Sequence, residues 1–298
     1  MTAAGPTPQR PIPGPNLGLI AGQGRLPLLV AGGMRCAGAT VCCVGLRGQY
    51  DPALPDLCDR FEEAGIIRLG KWIRLLRRWG VHEAVMVGRV AKTRMHDPLR
   101  LVRHIWGDLP DWRAIRLWYR HLRHDRRNAV LLRAVADELD RNGITLIDST
   151  KHIPDQMATP GVMGRVQPGA QQLADVIFGW PLLGQVVELD IGQSIAVRDR
   201  DVIAVEAVEG TDRMIERAGT LCRHPGWVLL KTASREHDMR ADVPTIGTAT
   251  IERLASAKAG CLALGAGRVI MLDRTAVIEA ADRAGIALVG VEPEAGPG

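Results

Sequence analysis

The chain has 298 residues, 46% of them hydrophobic and 24% charged, with a formal net charge of +5. This size and composition are typical of a globular protein with one or two domains and a sizeable core. No stretch approaches the roughly 18 consecutive apolar residues of a membrane-spanning helix. The opening residues are rich in Pro, Gly and Thr and lack the apolar segment of a secretory signal, so we expect residues 1–15 to be a disordered tail.

The first predicted strand, Leu17–Ala21, leads into a helical stretch, Leu26–Gly32. The turn between them contains Gly22, Gln23 and Gly24. Such a turn presents free backbone N–H groups that favour phosphate or sugar hydroxyls, although the same spacing fits an ordinary strand-to-helix turn. The third glycine of a dinucleotide-binding fingerprint and the Gly-Lys-Ser/Thr of a P-loop are both missing.

Strands and helices continue to alternate in the next hundred or so residues of the chain. Strands are predicted at Ala39–Val44, Ala84–Val87 and Ile144–Ile147, and a helix at Ala129–Asn142. This alternation predicts an N-terminal α/β domain with a parallel sheet over residues 16–160.

Six cysteines are spread over the chain without any Cys-x-x-Cys spacing, and the adjacent Cys42 and Cys43 lie in an apolar strand. That pattern indicates buried thiols in a reducing cytoplasm rather than a disulfide framework or a zinc site.

Residues 68–127 form a basic zone with 16 Lys and Arg against 5 Asp and Glu, and with five of the seven tryptophans. Helices are predicted at Lys71–Trp79 and Ala114–Arg126, each with an apolar stripe and arginines around it. Three explanations remain open: a core face with a solvated basic rim, a surface for an anionic membrane, and a nucleic-acid surface. No helix-turn-helix, RNA-binding or zinc pattern accompanies the zone, which disfavours the last.

The segment Thr159–Gly164 contains adjacent Pro and Gly and is predicted to be a linker to a second α/β domain over residues 165–292. We therefore predict an α/β protein of two α/β domains joined by a short linker, with the substrate cleft between them. The strands of the second domain are predicted at Ser194–Arg198, Val202–Val208, Trp227–Thr232, Cys261–Leu264 and Val269–Leu272, and its helices at Gln171–Phe178, Thr211–Ala218, Thr248–Ala259 and Arg274–Ala284.

One polar stretch of this domain has Asp238 and Asp242 on either side of Arg240, directly before a Pro-Thr-Ile-Gly turn. Proline fixes one backbone angle and glycine frees another, so the turn can hold Asp242 in a set position. Carboxylates hold divalent cations or activate water, and arginine binds phosphate through paired hydrogen bonds. The same charges also fit a solvated surface loop.

A second polar stretch reads Asp-Ile-Gly-Gln-Ser at 190–194 and continues as Val-Glu-Ala-Val-Glu-Gly-Thr-Asp at 205–212. Thr211 or Asp212 is predicted to cap the helix that follows. The start of that helix offers N–H groups to a phosphate, although an ordinary cap explains the residues equally well.

These two stretches, with a lone Lys231 between them, resemble the LpxI-type UDP-2,3-diacylglucosamine pyrophosphatase family. Leu17 to Pro27 and Val-Gly-Arg-Val at 87–90 also look like that family, so the similarity runs collinearly from about residue 16 to 292. Two positions depart from it. Arg89 stands where a lysine is expected, and Ser-Arg-Glu-His precedes Asp238 in place of Lys-Pro-x-Gln.

The resemblance implies hydrolysis of UDP-2,3-diacylglucosamine to UMP and 2,3-diacylglucosamine 1-phosphate (lipid X) in lipid A biosynthesis, with Mg²⁺ or another divalent cation. It places the catalytic aspartate at Asp242, and we expect Arg240 and Lys231 to stabilise charge on the phosphoryl oxygens. Metal ligands are expected from Asp242, Asp238, Asp212 and Glu209. Substrate contacts are expected from Gly22, Gln23, Gly24, Gln193, Thr211 and Thr245.

A lipid-linked UDP-sugar substrate further implies a cytoplasmic enzyme, peripheral to the inner membrane, without a nucleic-acid partner; a homodimer is among the assemblies it allows. The alternative is a non-catalytic sugar-nucleotide or nucleic-acid binding module, which would show affinity without turnover. A third hypothesis is a hydrolase that acts on a different sugar nucleotide.

Overall fold

The computed structural model describes residues 14–89, 111–117, 119, 128–234, 238–240 and 243–292. The chain forms two compact units, which divide between Ile147 and Asp148. Both contain β-sheets with helices, so the prediction of two α/β domains is confirmed.

The N-terminal unit is built on a five-stranded parallel sheet with the strand order β3-β2-β1-β4-β5. Strands β1 and β2 are almost continuously buried and apolar, as expected of a parallel sheet that is covered on both faces. Because β1 is central and the chain moves outward first on one side and then on the other, the order reverses between β1 and β4. The strands are Asn16–Ala21 (β1), Thr40–Leu46 (β2), Arg60–Ala64 (β3), Glu83–Val87 (β4) and Thr145–Leu146 (β5).

The second helix of this unit confirms the amphipathic pattern read from the sequence. Trp72 and Trp79 are buried in the core, whereas Arg74 and Arg77 are exposed. Each large apolar side chain that is buried in this way contributes about 1.5–3 kcal/mol. The core-face explanation therefore holds for this part of the basic zone. The helices are Leu26–Cys36 (α1), Leu69–Arg78 (α2), Trp112–Leu117 (α3) and Asn128–Asp140 (α4).

The C-terminal unit contains a six-stranded mixed sheet with the order β6-β13-β11-β9-β7-β8, and a separate two-stranded parallel pair, β10-β12. Strands β9, β11 and β13 are parallel, and β7 runs antiparallel to both β9 and β8. The carboxyl ends of β8, β9, β11 and β13 and the amino end of β7 therefore lie along one border of the sheet, which we call its carboxyl edge. The strands are Gly161–Val162 (β6), Ser194–Arg198 (β7), Asp201–Val205 (β8), Trp227–Lys231 (β9), Thr245–Ile246 (β10), Ala259–Gly265 (β11), Ile270–Met271 (β12) and Ala287–Val291 (β13).

Helices cover both faces of this sheet and create two apolar layers. Val228 and Leu230 face α5, whereas Trp227 and Leu229 face α6, α7 and α8, because successive side chains of a strand point to opposite faces. None of the described helices is long and apolar enough to cross a bilayer. The helices are Ala170–Glu188 (α5), Thr211–Leu221 (α6), Thr248–Ser256 (α7) and Arg274–Ala284 (α8).

The predicted linker segment contains a short strand. The segment Thr159–Gly164 lies within the C-terminal unit, after the division at residue 148. Its Gly161 and Val162 form β6, which pairs antiparallel with β13 at the edge of the sheet. The Pro-Gly pair thus introduces an edge strand of the C-terminal sheet.

Several element boundaries differ from those predicted, among them the ends of β8 and α5. Strand β8 ends at Val205 and not at Val208, whose side chain is fully exposed. Helix α5 continues past Phe178 to Glu188 despite Pro181, which lies on an exposed side of the helix. Proline inside a helix removes a backbone hydrogen bond and tends to end or kink it, but about two turns of apolar contacts beyond Pro181 hold this helix on the sheet.

The predicted burial of the thiols holds for three of the six cysteines, whereas Cys36 is exposed and Cys58 and Cys222 are partly exposed. All six cysteines are free, and Cys42, Cys43 and Cys261 are buried. Burial in an apolar environment raises the pKa of the Cys261 thiol to about 12, so this side chain behaves as a small apolar core residue.

Candidate active site

Polar side chains from three neighbouring strands meet at one edge of the C-terminal sheet. Ser194 begins β7, Glu206 directly follows β8, and Lys231 ends β9. Ser194 and Lys231 are cross-strand partners, and the N–H of Glu206 donates to the carbonyl of Ser194 at 2.9 Å. Together with Thr211, the first residue of α6, we call these residues the polar network.

The hydrogen bonds of the polar network run in one direction. Lys231 Nζ donates to Thr211 Oγ1 at 2.7 Å and lies 3.8 Å from Glu206 Oε2. The Thr211 hydroxyl donates to Glu206 Oε1 at 2.9 Å, and the Ser194 hydroxyl donates to Oε2 at 2.5 Å. A threonine hydroxyl has a single hydrogen, so giving it to Glu206 leaves the oxygen lone pairs facing the lysine ammonium.

Burial makes these contacts stronger than surface ion pairs. Lys231 is 3% exposed, Glu206 8% and Ser194 0%. An unpaired charge in such surroundings would be costly, so Lys231 and Glu206 depend on each other and on the two hydroxyls. A fixed ammonium in a low-dielectric environment is also well suited to stabilise the negative charge of a phosphoryl group.

Strand alternation explains why these side chains converge. Lys231 lies two residues after Leu229, Ser194 two before Ala196 and Glu206 two after Ala204, and those three apolar residues all pack in the core beneath α6, α7 and α8. The polar side chains therefore point to the same face, at its edge. We predicted Lys231 and Thr211 as site residues but missed Ser194 and Glu206. The signal that could have found them is their spacing, since each lies two residues from an apolar side chain that faces the core and so points to the same face of its strand.

The turn that contains Arg240 makes an internal ion pair and two hydrogen bonds with Ser149. Arg240 donates to Asp238 through Nε at 2.7 Å and Nη2 at 2.6 Å, so the two form a bidentate ion pair. The Met239 carbonyl accepts hydrogen bonds from the N–H and the hydroxyl of Ser149, which fixes the turn within the C-terminal unit. The predicted catalytic Asp242 lies outside the described residues.

The other predicted metal ligands form ion pairs with arginines. Glu209 pairs with Arg217, and hydrogen bonds from its own backbone N–H and from Arg217 hold the pKa of Glu209 below its usual range. Asp212 lies 3.4 Å from Arg253 of α7, on the outer side of α6. In the part of the chain that the structure describes, no three His, Cys, Asp or Glu residues form a group that could hold a metal ion.

The two remaining predicted substrate contacts of this unit have different settings. Gln193 directly precedes Ser194, and its carbonyl accepts a hydrogen bond from the N–H of Thr232 at 3.0 Å, so it lies beside the polar network. Thr245 belongs to β10 and pairs with Ile270 of β12, outside the six-stranded sheet.

The predicted glycine turn occupies the carboxyl end of β1 in the N-terminal unit, where the strand order reverses. Gln23 and Arg89 form an antiparallel bridge, with N–H to carbonyl distances of 2.8 and 2.9 Å. The backbones approach so closely that a Cβ on Gly22 would lie 2.7 Å from the Arg89 carbonyl oxygen, and Gly88 has a φ of +98°. Ligands of open α/β sheets bind at such reversal points, so the position suits the predicted substrate contact.

Helix α1 begins directly after this turn, with Pro27 in its first turn and no side-chain cap at Arg25. Pro27 has no N–H, and the N–H groups of Leu28 and Leu29 donate to the Arg25 carbonyl at 3.1 and 3.3 Å. The Leu26 N–H is therefore the donor of this first turn that a phosphate or a hydroxyl at the carboxyl edge of the parallel sheet could use.

Comparison with known proteins covers both units. The LpxI N-terminal domain matches residues 16–156, and the LpxI C-terminal domain matches residues 159–289. The chain is 35% identical over 294 residues to the UDP-2,3-diacylglucosamine pyrophosphatase LpxI of Caulobacter vibrioides, which covers 95% of this chain and 99% of that protein. By its matched domains and its similarity over nearly the whole length, the chain belongs to the LpxI family.

Proposed function

We propose that this protein hydrolyses the pyrophosphate bond of UDP-2,3-diacylglucosamine, giving UMP and 2,3-diacylglucosamine 1-phosphate in lipid A biosynthesis. The observation that carries the proposal is the buried Lys231 at the carboxyl edge of the C-terminal sheet, in a chain of the LpxI family. A pyrophosphate needs a fixed cation where charge develops as the bridging bond breaks.

The proposed reaction transfers a phosphoryl group to water. A water oxygen forms a bond to phosphorus, the bridging P–O bond breaks, and the leaving phosphate takes the electron pair. Lys231 stabilises the developing negative charge, and Thr211 and Glu206 hold its ammonium in position. Arg240 supplies a second cation, and Asp242 is proposed to activate the attacking water.

We also propose that the reaction needs a divalent cation, with oxygen ligands drawn from Asp242, Asp238, Asp212 and Glu209. The three described members of this set are paired with arginines and do not converge into a group by themselves. Asp242, which completes the motif in the sequence, is therefore the ligand on which the proposal depends most. When bound, the cation would neutralise charge on the pyrophosphate.

We place the enzyme in the cytoplasm, at the inner face of the inner membrane, because its proposed substrate carries two acyl chains and a soluble nucleotide. Each methylene that leaves the bilayer costs about 0.8 kcal/mol, so hydrolysis at the membrane surface is favoured over extraction of the whole lipid into water.

Release of UMP from detergent-solubilised UDP-2,3-diacylglucosamine tests the proposed function. We expect release that depends on magnesium, stops with EDTA, and falls by at least about a hundredfold in Asp242→Asn and Lys231→Met. Lys258→Met serves as the matched control, since Lys258 is an exposed lysine beyond α7.

Each arm of this experiment can contradict a different part of the proposal. Binding of substrate without UMP release would favour the binding-module alternative. Activity that survives EDTA would remove the metal from the proposal, and full activity of Asp242→Asn would remove the aspartate.

A further inference from the structure

Helix α3 presents an apolar face to solvent in the N-terminal unit. Trp112 is 74% exposed, Tyr119 62% and Ile115 38%. Trp112 and Ile115 are three residues apart and so lie on one side of α3, and Tyr119 follows two residues after the end of that helix. Trp72 of α2 and Trp79 directly after it, by contrast, are buried in the core. We call Trp112, Ile115 and Tyr119 the aromatic face.

Three arginines accompany the aromatic face. Arg113 and Arg116 of α3 and Arg141, directly after α4, all pair with the carboxylate of Glu138. The carboxylate is buried, whereas the arginine side chains are 41%, 42% and 57% exposed. Three positive charges against one negative charge leave this cluster with a net positive charge at the surface.

The charge of this arginine cluster is stable against pH. Burial of the Glu138 carboxyl opposes its ionisation, but hydrogen bonds from Arg113 and Arg141 and the charge of Arg116 outweigh it, so the pKa of Glu138 is lowered. Glu138 therefore stays ionised at neutral pH and keeps the three guanidinium groups in place.

Helix α3 is also fixed in position, which a docking surface requires. The Asp111 carboxylate accepts hydrogen bonds from the N–H of Ala114 at 2.9 Å and from the N–H of Gly70 at 2.5 Å. It thus caps α3 and ties it to the start of α2. On the outer side of α2, Arg74 and Arg77 add two exposed arginines to the unit.

We propose that the aromatic face and the arginine cluster dock the protein on an anionic phospholipid surface. Tryptophan and tyrosine favour the interface between headgroups and acyl chains, while arginines attract anionic headgroups. A nucleic acid would use the same arginines but would gain nothing from an exposed Ile115. The inference rests on the proposed function, because a diacylated substrate must be reached in a membrane, and it adds the surface by which the chain gets there.

Sedimentation of the full-length protein with vesicles tests the docking surface. The vesicles contain phosphatidylcholine alone, or equal parts of phosphatidylcholine and phosphatidylglycerol. We expect binding to the anionic vesicles that weakens with added salt. The double variant Trp112→Ser/Tyr119→Ser should bind at least about tenfold more weakly, since two aromatic rings no longer leave water.

The matched control is Ile177→Ser, which removes a side chain of similar exposure (73%) from α5 of the other unit. It should bind vesicles like the parent protein. Because all three substituted side chains are exposed, circular dichroism should show the same fold and unfolding midpoint for every variant.

Hydrolysis rates separate this inference from the proposed function. The double variant should hydrolyse detergent-solubilised substrate at the parental rate and vesicle-embedded substrate more slowly. Equal vesicle binding by the double variant and the parent, or no parental binding to anionic vesicles, would overturn the docking surface. Parental binding to single-stranded RNA that the double variant loses would reassign the surface to nucleic acid. Absence of hydrolysis in detergent would instead contradict the proposed function alone.

Discussion

Lys231 Nζ lies 2.7 Å from Thr211 Oγ1, so the amine at the end of β9 is held by the first residue of α6. The two residues are 20 positions apart in the chain, and no backbone pairing between β9 and α6 brings them together. Their contact joins the sheet edge to the start of a helix. Four consequences of this and other contacts can be measured.

The Thr211 hydroxyl accepts from Lys231 and donates to Glu206, so its removal should misplace the ammonium. We expect Thr211→Val to lower kcat/KM by roughly tenfold to a hundredfold, the equivalent of one hydrogen bond to a charged group. Thr211→Ser keeps the hydroxyl and should retain most of the activity. Equal losses in both variants would indicate that the threonine methyl group matters and the hydroxyl does not.

Among the described residues, Glu206 is the only carboxylate that accepts hydrogen bonds from both hydroxyls of the polar network, those of Ser194 and Thr211. Glu206→Ala leaves the buried Lys231 without its counter-charge, and we expect a loss of about 3–5 kcal/mol in the free energy of unfolding. Chemical denaturation measures the loss. Glu252→Ala, on the exposed side of α7, should change the midpoint little, and a similar small change for Glu206→Ala would contradict the role of the ion pair.

Gly22 and Gly88 allow two backbones to approach within the N-terminal unit. A Cβ at Gly22 would lie 2.7 Å from the Arg89 carbonyl oxygen, so Gly22→Ala should destabilise the unit and lower activity. Gly32→Ala provides the comparison, because that helical position has open space around it. There we expect stabilisation of about 0.5–1 kcal/mol. Thermal unfolding of both variants decides the matter, and stabilisation by both would refute the close-approach argument.

Asp282 links α8 to the segment after β6. Hydrogen bonds from the Arg165 N–H and guanidinium and from the Val166 N–H lower the pKa of the Asp282 carboxyl. A carboxyl with a lowered folded-state pKa stabilises the protein above the unfolded-state pKa and loses that effect as pH falls through the folded-state pKa. Asp282→Asn should therefore lower stability at neutral pH and reduce its decline in acid. Asp201→Asn, at an exposed strand end, is the matched control for the same chemical change and should alter stability little at neutral pH.

Much of the C-terminal fold could be predicted where the spacing of apolar residues and the flanking polar residues indicate the same element. Ser194–Arg198 and Arg274–Ala284 were predicted with the observed bounds, since apolar periodicity and flanking polar residues mark both. Strand β3 was missed because its sequence, Arg-Phe-Glu-Glu-Ala, is mostly charged and is recruited by pairing with β2. Strand β13 was also missed. It is apolar and short, and it is held by parallel pairing with β11, which lies on the other side of α8 in the chain.

The candidate site was predictable only in part, for a physical reason. Local motifs indicate Asp242 and Arg240, but the polar network depends on which strand ends become neighbours, and sheet order is not a local property. The motif at 205–212 contains Glu206 but does not indicate its role, because its partners Ser194 and Lys231 lie on two other strands.

The burial of Lys231 also makes it a reporter of unfolding. The chain has only five lysines, and Lys151 and Lys258 are exposed. An amine-acylating reagent added to the native protein should modify the exposed lysines first, whereas Lys231, which is 3% exposed, should react far more slowly until β9 and α6 separate. The acylation rate of this one side chain, followed by mass spectrometry, therefore measures how often the sheet edge of the candidate site opens.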